Sequence, residues 1–259
     1  MSFENVILEV QDAIGFLKIN RPKALNALNS ATLDDLSAAA RELACNDGVR
    51  VVIVTGVGKA FVAGADIQEM QPMNPIEGAR FSQKGHLAIS LLEQMDKPVI
   101  AAVNGYALGG GFEVALACDI IYASEKARIG FPEVTLGILP GFGGTQRTAK
   151  LAGLARAKEL IFTGKVITAA EGYEMGLINK VVPDDQLMGA VQELAAKMLS
   201  AGPVCIRLAK ACINKSLTLD IDSGLELEAE AFGLCFGTED QKEGMAAFLE
   251  KRTPTYSGK

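Results

Sequence analysis

The chain has 259 residues, 49% of them hydrophobic and 22% charged, the balance of a globular protein with room for a sizeable core. A net charge of −6 argues against nucleic acid as a main partner, because phosphate binding is driven by clustered lysine and arginine. A single histidine, His86, excludes a His-rich metal site, and no metal is expected. Acid–base chemistry therefore falls to carboxylates, tyrosine, lysine or cysteine.

The opening MSFENVILEV has no basic n-region, apolar h-region or transit pattern. No apolar run reaches the roughly 18 residues that a membrane-spanning helix needs, so no membrane partner is expected. Cys45, Cys118, Cys205, Cys212 and Cys235 are scattered and lack a CxxC pair, which points to reduced thiols and a cytoplasmic setting.

VILEV and IGFLKI read as two short strands joined by QDA. After the turn-like RPKALNALN, residues 31–46 have helical spacing with Leu33 and Leu36 on one face. VRVVIVTG reads as a buried strand, Pro75 to Met95 as a long helix carrying His86 on its surface, and KPVIAAVNG as another buried strand. GGGFEVALA opens a helix and CDIIYAS is a third buried strand. Strands alternating with helices predict an α/β fold with largely parallel pairing.

From about Gly143 the character changes to helices: TQRTAKLA, ARAKELIFTG and TAAEGYEMG, the last with a Thr168/Glu171 capping box. LINKVV at 177–182 supplies one more strand. Residues 185–259 read as helical throughout, with a second capping box from Thr238 to Gln241. The predicted division is an α/β core over 1–200 carrying the site and a helical oligomerisation region over 201–259.

Two motifs resemble nucleotide-binding loops without fitting them. TGVGKAF lacks the spacing of a phosphate loop, and Ala60 follows Lys59 where a hydroxyl would be needed. The glycines at 105 and 109–111 do not fit GxGxxG.

Three segments are chemically odd for their positions. Phe61–Ile67 (FVAGADI) places small residues after a strand and turn, where a ligand can approach the backbone. Ala107–Glu113 (ALGGGFE) opens a helix with glycines, whose unpaired N–H groups suit negative charge. Phe131–Gly144 carries Glu133 in a stiff, apolar, glycine-rich loop. Two carboxyls in apolar surroundings beside such a backbone would form an acid–base pair with an oxyanion hole.

The strings INRPKALNALN, FVAGADIQEM, KPVIAAVNGYALGGGFEVALACDI, FPEVTLGILPGFGGTQR and GMAAFLEKR, in this order, resemble the crotonase (enoyl-CoA hydratase/isomerase) family from about residue 5 to 252. The resemblance implies a spiral of repeated ββα units, a helical C-terminal region, and a homotrimer or a hexamer built as a dimer of trimers. It implies an acyl-CoA thioester substrate, with coenzyme A part of that substrate and no separate cofactor. It makes Glu113 and Glu133 the two carboxyls that hold the attacking water, and the N–H groups of Ala65 and Gly110 the oxyanion hole. Gly141 matches a glycine whose backbone helps fix the water. Lys23, Ala24, Leu25, Ala63 and Ile67 match the strip that contacts coenzyme A, and Phe248 and Lys251 match positions that reach a neighbouring subunit's coenzyme A.

The implied reaction is syn addition of water to a trans-2-enoyl-CoA, giving an (S)-3-hydroxyacyl-CoA, with a short acyl chain such as crotonyl. An enoyl-CoA isomerase or dienoyl-CoA hydratase is the alternative within the family; two retained glutamates favour the hydratase. Phe112 and Phe131 stand where many hydratases carry Cys and Gln, and are expected to line or flank the acyl site.

Overall fold

The computed structural model describes residues 3–259; Met1 and Ser2, part of the opening read as leaderless, lie outside the described residues. It divides into two compact units, one of the residues up to Met95 with Val99–Val191, the other of Asp96–Pro98 with Gln192–Lys259.

The first unit begins with strands β1 (Val6–Gln11) and β2 (Ile14–Ile19), paired antiparallel through a two-residue turn in which Asp12 and Ala13 both have positive φ. Helix α1 (Ser30–Cys45) packs on both strands. Its start is set by Asn29, whose side chain accepts the Thr32 N–H. Its buried face includes Leu33, Leu36 and Leu43.

A repeat follows. Strand β3 (Val51–Gly56) turns into the three-residue strand β4 (Ala60–Val62), then into helices α2 (Ile67–Met70) and α3 (Pro75–Glu93). Strand β5 (Val99–Val103) turns into β6 (Tyr106–Leu108) and helix α4 (Gly110–Leu116). Strand β7 (Ile120–Ser124) turns into β8 (Arg128–Gly130), a 3₁₀ turn at Pro132–Leu136, and helices α5 (Gly144–Ala152) and α6 (Leu154–Thr163). The remainder is β9 (Val166–Thr168), α7 (Ala169–Glu174) and β10 (Lys180–Val182).

The first strand of each repeat joins a six-stranded sheet ordered β1-β2-β3-β5-β7-β10, parallel apart from β1. The second joins a four-stranded sheet ordered β4-β6-β8-β9. This is the expected winding of ββα units. Every residue of β3 and β5 is buried, which is why they read as continuous β-branched and small apolar runs rather than alternating ones. The four strands of the small sheet have three residues each, too short to show a two-residue period, and escaped the sequence reading.

Two amides, one buried and one half-buried, fasten the turns of the repeat. Asn26, fully buried at positive φ, donates to Val57 O and Ala60 O and accepts the Arg21 N–H. Asn104 donates to Gly56 O and Gly58 O, tying the end of β5 to the β3–β4 turn. That turn contains Lys59, in agreement with its reading as a strand-terminal turn.

The second unit contains most of α8 (Leu187–Leu199), with α9 (Pro203–Lys215), α10 (Ile221–Cys235) and α11 (Glu239–Glu250). Helix was expected throughout to 259, but it ends at Glu250, with Lys251 in the left-handed conformation as its C-cap. The tail folds back: Ser257 and Gly258 N–H groups donate to Asp240, and Lys259 O accepts the Glu239 N–H at 2.7 Å. The tail thus takes up donors at the start of α11 that no helix carbonyl can reach. The Thr168/Glu171 capping box forms. The one at Thr238 is half formed: Thr238 accepts the Gln241 N–H, while the Gln241 amide turns to Met245 Sδ.

Candidate active site

Strands β4, β6 and β8 are parallel neighbours, so their C-terminal ends open on the same side. From β4 the chain runs into Ala63, Gly64 and Ala65; from β6 into Gly109 and Gly110; from β8 into Pro132 and Glu133. All of these line one cavity of about 580 Å³. Glu113 joins them from the first turn of α4, and Gly141 and Phe142 from the loop before α5. The apolar wall includes Met70, Met73, Phe81, Leu136, Leu139 and Phe142.

The backbone beside Ala65 has a simple geometric consequence. Ala65 forms a parallel bridge with Leu28, in which Leu28 N–H donates to Gly64 O and Leu28 O accepts from Asp66 N. In such a bridge the N–H of the central residue points away from the partner strand. The Ala65 N–H is thereby turned from Leu28, on a residue that lines the cavity. Asp66 N-caps α2 and pairs with Arg21, fixing this corner from its other side.

The glycines at 109–111 do three different things. Gly109 has φ +49° and ψ −122°, a combination open only to glycine, and it sits against the Glu133 carboxyl. Gly110 is the first residue of α4, whose N–H has no carbonyl one turn earlier to bond. Gly111 lets α4 close on the end of β4: a Cβ there would lie 1.9 Å from Val62 O.

Glu113 is 1% exposed, and its Oε1 accepts N–H groups from Phe142 at 2.8 Å and Gly144 at 2.6 Å. Burial pushes its carboxyl up to about 7 against the pull of those N–H groups and of the Arg147 guanidinium. Arg147 grips Glu93 with two nitrogens and donates a third bond to Phe142 O. Glu133 is half-buried and also raised to about 7, by burial first; its own backbone N–H opposes this and the Glu113 charge adds to it. Glu133 Oε2 is buried with no hydrogen-bond partner among the described residues. The two carboxyls therefore differ: one is braced for negative charge, the other is not.

Ala63, Ala65, Ile67, Gly110, Glu113, Glu133 and Gly141, all singled out from sequence, meet at this cavity. Lys23, Ala24 and Leu25 are not among the residues lining it: Lys23 and Ala24 lie in a 3₁₀ turn, and Leu25 O accepts the N–H of the lining residue Ala63 at 3.0 Å. Phe248 and Lys251 belong to the second unit, Phe248 on α11 and 83% exposed, Lys251 its left-handed C-cap. The expectation that Phe112 and Phe131 line or flank the site is narrowed. Phe112 and Phe131 do not line the cavity but are fully buried, in contact with each other with centroids 5.3 Å apart and ring planes tilted by 44°. Phe112 precedes Glu113 in the first turn of α4, and neighbouring helical residues point to different sides of the helix. Sequence reading also missed Met70, Met73, Ser82, Leu136 and Arg147. Nothing local marks them, since their roles depend on which loop they face.

Paired, environmentally distinct carboxyls at the mouth of a parallel sheet define an α/β acid–base enzyme. Residues 9–259 match the enoyl-CoA hydratase/isomerase family, and the chain belongs to it. It is 53% identical to the short-chain-enoyl-CoA hydratase of Clostridium acetobutylicum over 97% of both chains. It is 49% identical to the crotonyl-CoA hydratase of Syntrophomonas wolfei over 100% of both. Among solved structures, the enoyl-CoA hydratase of Bacillus anthracis superposes with a TM-score of 0.96 at 42% identity, covering 99% of this chain and 100% of that one.

Proposed function

We propose that this protein is an enoyl-CoA hydratase that adds water reversibly and syn to a short trans-2-enoyl-CoA such as crotonyl-CoA, giving the (S)-3-hydroxyacyl-CoA. The observation that carries the reading is the asymmetry of the carboxyl pair. Glu113, braced by backbone donors and Arg147, is suited to the carboxylate form and acts as base on water. Glu133, with a buried oxygen lacking a partner, is suited to the protonated form and acts as acid. As the water oxygen bonds to C3, its proton passes to Glu113 and the Glu133 proton reaches C2. Proton return from Glu113 to Glu133 resets the pair.

The thioester oxygen, which gains negative charge as C3 is attacked, is placed against the N–H groups of Ala65 and Gly110. In other enzymes the loss of one such donor costs roughly 10²–10³ in rate. Lys23, Ala24, Leu25, Ala63 and Ile67 are assigned to the coenzyme A strip, because Leu25 and Ala63 join it to the cavity edge through one hydrogen bond. Coenzyme A arrives with the substrate and no separate cofactor takes part. Short-chain preference is supported by the names of the two relatives.

Assembly as a trimer or hexamer belongs to the same reading, with 201–259 as the oligomerisation region. It is supported by the exposure of Phe232, Leu234, Phe248 and Leu249 on α10 and α11. The scattered cysteines support a cytoplasmic setting, and among the described residues no helix is long and apolar enough to cross a membrane. The test is the loss of conjugated thioester absorbance with 2-enoyl-CoA substrates of increasing length. Turnover is expected to be fastest with crotonyl-CoA; no turnover with any of them would overturn the reading.

A further inference from the structure

The loop before α5 touches Glu113 through its backbone, and that backbone is held from behind. The peptide joining Gly141 to Phe142 offers its N–H to Glu113 Oε1 at 2.8 Å, while its carbonyl accepts the Ser82 hydroxyl of α3 at 2.5 Å. In a trans peptide these two groups point in opposite directions, so Ser82, the peptide and Glu113 form one hydrogen-bonded line. The next carbonyl in the loop, of Phe142, accepts from Arg147 at 3.1 Å. The Gly143 and Gly144 N–H groups also act on Glu113.

We propose that Ser82 is a positioning residue for Glu113, acting through the Gly141–Phe142 peptide to hold Glu113 as the carboxylate that receives the proton from water. The proposal rests on the reading of Glu113 as base. A donor at a peptide carbonyl polarises that peptide's N–H, and the chain strengthens as a whole. Ser82 also fixes where the loop stands. The Phe142 ring is seated over Gly85 and packs against Phe81, both on α3 with Ser82, so ring and hydroxyl grip the loop from one helix. The charged groups facing Glu113 are Arg147 of α5, paired with Glu93 of α3, and Glu133 of the segment after β8.

The sign of the effect follows. Ser82 strengthens a bond to the charged form of Glu113, so its removal makes Glu113 easier to protonate. In Ser82→Ala the acid limb of the kcat profile is expected to move up by roughly half a pH unit, a scale set by weakening one cooperative hydrogen bond. The alkaline limb stays in place, and kcat at neutral pH falls about 2–10-fold with KM little changed. Ser82→Thr, which keeps the hydroxyl, restores the limb. Titration of the Glu113 side-chain carboxyl carbon by NMR, assigned by its loss in Glu113→Gln, gives the same shift without reference to turnover. If the wild type hydrates no enoyl-CoA, the functional reading fails while this titration still tests the link. Where Ser82→Ala disturbs folding, the near-isosteric Ser82→Cys, a weaker donor, is used and should shift the titration the same way. A Glu113 titration unchanged in the folded variant, or shifted equally in Ser82→Thr, overturns the proposal.

Discussion

The Glu133 carboxyl lies directly over the α-carbon of Gly109: a Cβ built there would stand 2.4 Å from Glu133 Oε1. The second glutamate is thus seated by the absence of a side chain on a neighbouring strand's exit. Gly109→Ala is expected to displace Glu133 and to strain a backbone that only glycine adopts. We expect kcat to drop by about 10²-fold, since small misplacements of reacting groups are that costly. Near-native kcat in a variant with normal circular dichroism would show that Glu133 does not need this seat.

Glu113→Gln and Glu133→Gln should each lower kcat by roughly 10²–10⁴, with product-analogue binding changed far less. The wild-type kcat profile should be bell-shaped, falling on the acid side as Glu113 is protonated and on the alkaline side as Glu133 ionises, with limbs that belong to the coupled pair. Stability has its own sign. Both carboxyls are raised from 4.5 to about 7, so the folded chain binds more protons than the unfolded chain in that window. Stability contributed by these groups is full below it and is lost as pH rises through the folded value. Glu133→Gln should therefore raise Tm above neutral pH relative to wild type, by about 2–4 °C on the usual scale, and do little near pH 4. Equal effects at both pH values in a thermal melt would contradict this.

Gly110 tests the backbone donor. A Cβ at this position would lie 3.0 Å from the Phe142 ring and 3.5 Å from Leu28 Cδ1, so Gly110→Ala presses on the loop that holds Glu113. Proline has the same Cβ and also removes the N–H, while its φ suits the first turn of a helix. We expect activity in the order wild type, Gly110→Ala, Gly110→Pro, with the proline loss mainly in kcat. A folded Gly110→Pro enzyme with wild-type kcat would take this N–H out of the mechanism.

The Phe112–Phe131 pair is core and not pocket, which separates two variants. Phe112→Ala should cost about 3–5 kcal/mol in denaturant unfolding and leave chain-length preference alone. Met73→Ala enlarges the cavity wall and should shift preference toward longer acyl chains with less change in stability. A chain-length shift in Phe112→Ala would return that ring to the acyl site.

Patterning in the sequence determined the long elements, since α1 carries a helical period over several turns and β3 and β5 carry continuous buried apolar runs. It also marked Glu113, Glu133 and the glycines, because a carboxyl among apolar residues and three glycines opening a helix conflict with local propensity. Resemblance to a family supplied the winding of the ββα units and the oxyanion pair. What the tertiary structure alone decided is which short strands pair, and hence which chain exits share a cavity. Three-residue strands carry no period, so β4, β6 and β8 are legible only through their partners. The same holds for Ser82 and Arg147, which sit one helix face and one loop away from Glu113 and reach it through the backbone. Phe112 shows the converse, adjacent to Glu113 in sequence and absent from the cavity wall, because successive residues of a helix point in different directions.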